Sequence, residues 1–144
     1  MNLKGIVGVK GKGGLFKIIS GTGARVIIVE SFDDKKRFPV NDAYTLVQLE
    51  ATTIYANDGQ LNLVDIFNTI KETESQTPVP DPKGDQKVLK EYFKTVAPDF
   101  DEDKVYASDI KKILSWYLKL KEFHYFDDSN NEQESKSGEP ESNN

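Results

Sequence analysis

The sequence predicts an α+β fold in which a small β-barrel is followed by a helix, a helical hairpin and a disordered acidic tail. Apolar residues occur in short β-branched and aromatic runs before the proline-rich stretch 77–85, and they recur at helical spacing after it. Residues 127–144, at the end of the chain, contain no aromatic or aliphatic residue. We therefore divide the chain into a barrel with a packing helix (1–75), a proline-rich linker (76–84), a helical hairpin (85–126) and the tail (127–144).

Three runs in the first half have the composition of β-strands. Residues 15–20 and 24–31 are rich in β-branched and aromatic side chains, and the glycine-containing segment 21–23 between them predicts a hairpin. A third run covers residues 36–40, where Pro39 has no backbone N–H to donate to a neighbouring strand. This third strand is therefore expected to lie at an edge of the sheet or to end there.

Two further segments complete the predicted barrel. Residues 52–56 form a last β-type run, which the turn sequence 57–59 closes. Residues 3–9 fit either a strand or one helical turn capped by Asn2, and we favour the strand. Four or five short strands before residue 57 are typical of a small barrel.

A helix is predicted over residues 62–74. Asn62 is placed to cap its N-terminus, and Asp65 lies in its first turn. Its apolar residues fall at positions i, i+3, i+4 and i+7: Leu63, Ile66, Phe67 and Ile70. We expect this apolar face to pack on the barrel.

Two more helices are predicted after the linker. The first ends before Pro98, because a proline disfavours helical geometry in the preceding residue, and Ser108 is expected to cap the second. Their apolar stripes are Val88, Leu89, Tyr92, Phe93 and Val96, and Ile110, Ile113, Leu114, Tyr117 and Leu120. Two helices of this size cannot cover both stripes, so we expect them to dock on the barrel, on helix 62–74 or on a partner. The linker would act as a semi-rigid strap, with Trp116 packed at the junction.

The net charge of −5 does not describe most of the chain. Residues 1–75 carry nine basic and nine acidic side chains, and residues 76–126 also carry nine of each. The tail has six acids and one lysine, which together with its lack of apolar residues predicts disorder. The first 29 residues hold five basic residues and no acid, which indicates either solvated strand faces or a surface that contacts phosphate.

Several kinds of chemistry find no support in the sequence. There is no cysteine, which excludes disulfides and thiolate sites, and His124 is the one histidine. The glycine-rich segment 8–14 lacks the spacing of a phosphate-binding loop, so we interpret it as a tight turn. The acidic segment 99–103 lacks the glycine and glutamate that a calcium loop needs, so we interpret it as an inter-helix loop.

A family resemblance extends over about residues 1–126. The runs that carry it are residues 14–18, 27–31 and 35–40 in the first half, and 103–106, 108–113 and 116–117 in the second. They resemble a family of small uncharacterised bacterial proteins that begin with a Tudor-like domain and continue into a helical part. The resemblance implies an SH3-like barrel followed by helices, and it implies no known activity or cofactor.

These observations favour a non-enzymatic interaction module that binds a protein or peptide. A small barrel cannot bury all of its aromatic rings completely, and those rings are Phe16, Phe32, Phe38, Tyr44 and Tyr55. The alternative is RNA binding through the basic residues Lys10, Lys12, Lys35, Lys36 and Arg37. We predict no cofactor, metal site or membrane segment, and a cytoplasmic location; the oligomeric state stays open.

Overall fold

The computed structural model describes residues 3–21, 25–42 and 45–126. Five strands form one antiparallel sheet with the order β4-β3-β2-β1-β5. The strands are β1 (Ile6–Val9), β2 (Lys12–Ser20), β3 (Ile27–Ser31), β4 (Arg37–Val40) and β5 (Leu46–Gln48). The predicted hairpin of β2 and β3 is confirmed, and β4 lies at an edge of the sheet as the position of Pro39 indicated.

The sheet is open within the described residues, because β4 and β5 are its two edges and do not pair with each other. The expectation of a closed barrel is therefore not confirmed. The predicted strand at 52–56 is present as β6 (Thr53–Tyr55), but it pairs with β7 (Gln60–Asn62) in a separate two-stranded sheet. Gly59 adopts a φ of +93°, which lets the chain reverse tightly between β6 and β7.

One face of the five-stranded sheet has a small core of its own. Its buried members are Val7, Val9, Phe16, Ile27, Val29 and Val40, which all lie on strands of this sheet. Phe38 on β4 and Leu46 on β5 pack against the same cluster. Side chains from both edge strands thus belong to one cluster, which indicates that the sheet is curved around this face.

The opposite face of the sheet packs against the helices, which are α1 (Leu63–Thr73), α2 (Gln86–Val96) and α3 (Ala107–Glu122). Leu15 and Phe32 from the sheet region, Phe67 from α1, Phe93 from α2 and Leu114 from α3 belong to one buried cluster. The helical hairpin therefore docks on both the sheet region and α1, two of the three arrangements expected from the sequence. The expected tail, residues 127–144, lies outside the described residues.

The helix ends follow the predictions in part. Helix α2 ends before Pro98 as expected, and the Asp85 side chain caps it by accepting a hydrogen bond from Lys87 N at 2.8 Å. Helix α3 begins at Ala107, so Ser108 lies inside the helix and the prediction that it is the cap was wrong. Asp109 replaces it, because its carboxylate accepts a hydrogen bond from Tyr106 N at 2.9 Å. The predicted Asn62 is the N-cap residue of α1, although its side chain makes no capping hydrogen bond.

Two buried tyrosines differ in how their hydroxyl groups are satisfied. The Tyr117 hydroxyl donates to Glu74 Oε1 at 2.9 Å, whereas the Tyr92 hydroxyl is buried with no hydrogen-bond partner among the described residues. We expect Tyr117→Phe to lower the free energy of unfolding by about 1–3 kcal/mol, because it removes a hydrogen bond to a carboxylate. Tyr92→Phe should be neutral or stabilising, since it removes an unsatisfied hydroxyl, and urea denaturation of both variants checks the difference.

The buried tyrosines Tyr92 and Tyr117 also predict a loss of stability in alkaline solution. Burial, reinforced by the Glu74 carboxylate, raises the pKa of Tyr92 from 10.0 to about 12, and burial raises the pKa of Tyr117 in the same direction. The folded state therefore holds these protons more tightly, so stability should be complete below pH 10 and fall as the pH rises through 12. Tyr92→Phe should make this fall shallower, and an unchanged pH profile would contradict the assignment.

Candidate binding groove

An apolar cavity lies between β5, β6 and α3. Its volume is about 230 Å³, and its walls include Val47, Ile54, Val105, Ile113 and Trp116. We call this cavity the apolar pocket. Tyr55 stands at its rim with 54% of its surface exposed.

A second cavity, of about 250 Å³, lies at the β1–β2 hairpin and is called the lysine pocket below. Lys10 and Lys12 approach it from the hairpin, and Lys112 approaches it from α3. Glycine backbone forms much of the remaining wall, at Gly8, Gly11 and Gly14. Gly11 has a φ of +84° at the tip of the hairpin, which confirms the prediction of a glycine-dependent tight turn there.

The two pockets meet at three residues. Val47, Lys112 and Trp116 line both of them, so they form one continuous surface that we call the α3 groove. Trp116, the single tryptophan of the chain, is 8% exposed and belongs to the buried cluster that the sheet region shares with the helices, which we call the main core. This agrees with the prediction that Trp116 packs at the junction between the helical hairpin and the sheet. It packs so closely on β1 that a Cβ atom at Gly8 would lie 2.9 Å from Trp116 Cζ2.

The groove carries an excess of positive charge. Lys10, Lys12, Lys104 and Lys112 line it, and none of them forms an ion pair within the described part of the chain. Asp109 is the one carboxylate among the described lining residues, and it is already engaged by Tyr106 N.

Two of these lysines also cover the aromatic rings of the groove. Lys104 Nζ lies 5.2 Å from the centre of the Tyr55 ring, and Lys112 Nζ lies 5.9 Å from that of Trp116. Lys12 Nζ lies 4.5 Å from the centre of the Phe38 ring. The lysine stems therefore contribute apolar contact while their ammonium groups keep the rim positive.

The structure divides the five basic residues predicted as a binding set. Lys10 and Lys12 line the lysine pocket, whereas Lys35, Lys36 and Arg37 lie at the β3–β4 connection and line neither pocket. Lys35 Nζ lies 4.8 Å from the centre of the Phe123 ring. Arg37 Nε donates to Glu30 Oε2 at 3.1 Å, and Lys36 N donates to Asp34 Oδ1 at 2.9 Å. The five therefore do not form one patch.

Sequence reasoning missed Lys104 and Lys112 as groove residues, whereas it named Tyr55 among the aromatic rings that favour a binding role. Lys112 precedes Trp116 by four positions on α3, which places both on one helix face and was an available signal. In the described residues, no group of three or more histidine, cysteine or carboxylate side chains is arranged to hold a metal ion. No helix in this part of the chain has the length and apolar character needed to cross a membrane.

Comparison with known proteins gives two family matches. The model of a domain of unknown function, DUF5606, matches residues 3–49, which contain the five-stranded sheet. A second domain of unknown function, DUF6852, matches residues 52–120, from β6 into α3. The α3 groove thus combines residues from both matched segments. No curated protein matches the sequence.

The chain is also similar to a solved structure, a solution NMR structure of a protein from Bacteroides vulgatus. The two share 34% sequence identity, and the match covers 83% of this chain and 85% of the other, with a TM-score of 0.62. This level of identity over most of both chains shows common descent as well as a common fold. The chain therefore belongs to the same family as the Bacteroides vulgatus protein, and in this chain a match to DUF5606 is followed by a match to DUF6852.

Proposed function

We propose that the protein is a non-enzymatic interaction module that binds a protein or peptide partner in the α3 groove. The observation that carries this proposal is the half-exposed Tyr55 at the rim of a preformed apolar pocket. Exposed tyrosines beside small recesses are typical of the residues that dominate binding energy in protein interfaces. We infer a cytoplasmic location from the lack of cysteine in the sequence.

The apolar pocket by itself has the size of a site for one side chain. Small-molecule sites usually have volumes of roughly 300–1,000 Å³, whereas the apolar pocket alone measures about 230 Å³, and the groove reaches that range only together with the lysine pocket of about 250 Å³. One large aliphatic or aromatic side chain is a suitable occupant for a pocket of this size and lining. Asp109 is the one carboxylate among the described lining residues; it caps α3 and so serves the helix, which supports a binding role over acid–base catalysis.

We further infer that the sheet is a partly open barrel of the SH3-like type. The order β4-β3-β2-β1-β5 places the first and last strands next to each other, with the central strands following as a meander. The curvature that brings Phe38 of β4 and Leu46 of β5 onto one cluster also supports this inference. Barrels of this type host many binding functions, so the fold is consistent with the proposal without specifying the partner.

The binding test uses the full chain and a displayed library of random peptides. Peptides that enter the groove should change the emission of Trp116, the single tryptophan, which makes the protein its own reporter. Tyr55→Ala should weaken the selected peptides about ten-fold or more, because it removes a rim anchor. Val88→Ala is the control, since Val88 is 48% exposed on α2 and does not line the groove. Peptides that bind equally well to Tyr55→Ala and leave the emission unchanged would contradict the proposal.

RNA binding is the second candidate, and the lysine pocket favours it. Lys10, Lys12 and Lys112 converge there without carboxylate partners in the described residues. If three phosphates were neutralised, the slope of log affinity against log salt should be about −2 for single-stranded RNA. Titration of the full chain with labelled RNA at several salt concentrations measures that slope, and no binding at low salt would remove this candidate.

A further inference from the structure

We infer that the partner is an acidic peptide, in which a large apolar side chain fills the apolar pocket and neighbouring carboxylates contact Lys10, Lys12 and Lys112. The inference rests on the proposed function and specifies its ligand. It combines three observations: the two pockets are continuous, the lysines lack carboxylate partners in the described residues, and the Trp116 ring is almost completely buried.

Because the two pockets are continuous, the apolar group and the acidic groups of the ligand must be close neighbours. Lys112 and Trp116 line both pockets, so a side chain in the apolar pocket lies directly beside the lysine pocket. A peptide with its apolar residue adjacent to aspartate or glutamate would occupy both at once. A purely apolar ligand would leave the lysine pocket without a complementary group.

The charge of the groove selects the sign of the ligand. Lys10, Lys12 and Lys112 surround a cavity of about 250 Å³ in which the described lining residues include no carboxylate. Ammonium groups gathered around a concave surface attract anions and repel cations. Other exposed lysines of the described residues, such as Lys17, Lys83 and Lys87, also form no ion pair, so the lack of a partner does not by itself distinguish the groove. The lysine pocket differs because three such cations line one cavity that no described carboxylate lines.

The aromatic residues of the groove favour a peptide over RNA. Binding of single-stranded RNA commonly depends on bases that stack on exposed aromatic faces. Trp116 is only 8% exposed and has Lys112 over its ring, and the Tyr55 ring lies under Lys104. Trp116 therefore presents no free face for a base, and Lys104 occupies one face of Tyr55, whereas an aliphatic or aromatic side chain fits the apolar pocket that both rings line.

The test compares two triple variants of the full chain against peptides selected from a random displayed library. The groove variant is Lys10→Gln, Lys12→Gln and Lys112→Gln, and the control is Lys35→Gln, Lys36→Gln and Arg37→Gln. Both remove three positive charges, but the control residues lie outside the groove. Exposed ion pairs contribute modestly, about three-fold each, so the groove variant should weaken binding by about 20-fold to 30-fold and the control by less than about two-fold. Replacing the acids of the selected peptides by amides should produce the same loss.

The alternative outcomes separate this inference from the proposed function. The inference would be overturned if the selected peptides were not acidic and bound both triple variants with equal loss of affinity. If those peptides still depended on Tyr55, the proposed function would remain in place. Failure to select any peptide would overturn both. If labelled single-stranded RNA bound the full chain and only the groove variant lost this binding, the lysine pocket would be assigned to RNA and the inference would be overturned.

One further variant tests whether the acidic ligand is part of the same chain. Residues 127–144 carry six acidic residues, and in this variant of the full chain each aspartate is replaced by asparagine and each glutamate by glutamine. Equal affinity of the selected peptides for this variant and for the natural chain would support a separate partner. Markedly tighter binding of the selected peptides after the replacement would show that residues 127–144 compete for the groove, and would overturn the assignment to a separate partner.

Discussion

Replacement of Phe67 by alanine is expected to lower the free energy of unfolding by about 3–5 kcal/mol. Phe67 is fully buried on α1, and the centre of its ring lies 6.0 Å from that of Tyr117 and 6.1 Å from that of Phe126. These partners belong to α3 and to the residues that follow it, so the substitution leaves a cavity between α1 and α3 in the buried cluster that the helices share with the sheet. Such a cavity cannot collapse easily between three packed elements.

Urea denaturation measures this loss by two probes on the same sample. Far-UV circular dichroism follows the helices, and Trp116 emission follows the junction between the sheet and α3. Val88→Ala, on the exposed face of α2, should change the free energy of unfolding by no more than about 0.5 kcal/mol. Curves from the two probes that separate, or a loss below about 1 kcal/mol for Phe67→Ala, would contradict a single core shared by sheet and helices.

Gly8→Ala should also be destabilising, by about 1–3 kcal/mol, although it adds only one methyl group. The added Cβ would lie 2.9 Å from Trp116 Cζ2, closer than side-chain carbons normally approach. The tryptophan must therefore shift, and its ring is fixed between β1 and the main core. We expect an altered emission spectrum in the folded state as well as a lower midpoint of urea denaturation.

Gly13→Ala is the matched control for this prediction. Gly13 lies on the neighbouring strand β2, and a Cβ atom there would meet no atom within 4 Å. Its φ is not positive, so alanine should be tolerated or slightly stabilising. If the two variants had equal stability and equal tryptophan emission, the close contact of Trp116 with β1 would be disproved.

The strands and helices with strong local patterns could be predicted from the sequence, and two of the three strands of three residues could not. The β2–β3 hairpin has long β-branched runs, and α1 and α2 have apolar residues at helical spacing. In contrast, β5 and β7 are three residues each and contain no run of β-branched or aromatic residues, whereas the equally short β6 lies within such a run. The pairing of β6 with β7 rather than with the large sheet depends on tertiary packing, which local pattern does not encode.

The candidate site was only partly predictable for a different reason. The unopposed charges at Lys10 and Lys12 were visible in the sequence, and both line the groove. Lys35, Lys36 and Arg37 have equally strong local charge, yet the fold places them at the β3–β4 connection. The groove itself arises where segments distant in the chain meet: the β1–β2 hairpin, β5, β6 and the first half of α3. Docking of α3 onto the sheet creates it, so no single stretch of sequence contains its pattern.

The central claim is that the α3 groove is the binding surface of this protein. Two-dimensional ¹H–¹⁵N NMR of the full chain, titrated with a peptide selected from the random library, tests that claim most directly. We predict that the largest shift changes occur at the backbone amides of Tyr55 and Lys112 and at the indole N–H of Trp116, with little change at Val88 on α2. Shift changes centred on the β3–β4 connection or on the exposed face of α2, with the Trp116 indole unmoved, would show that the partner binds elsewhere and would contradict the account.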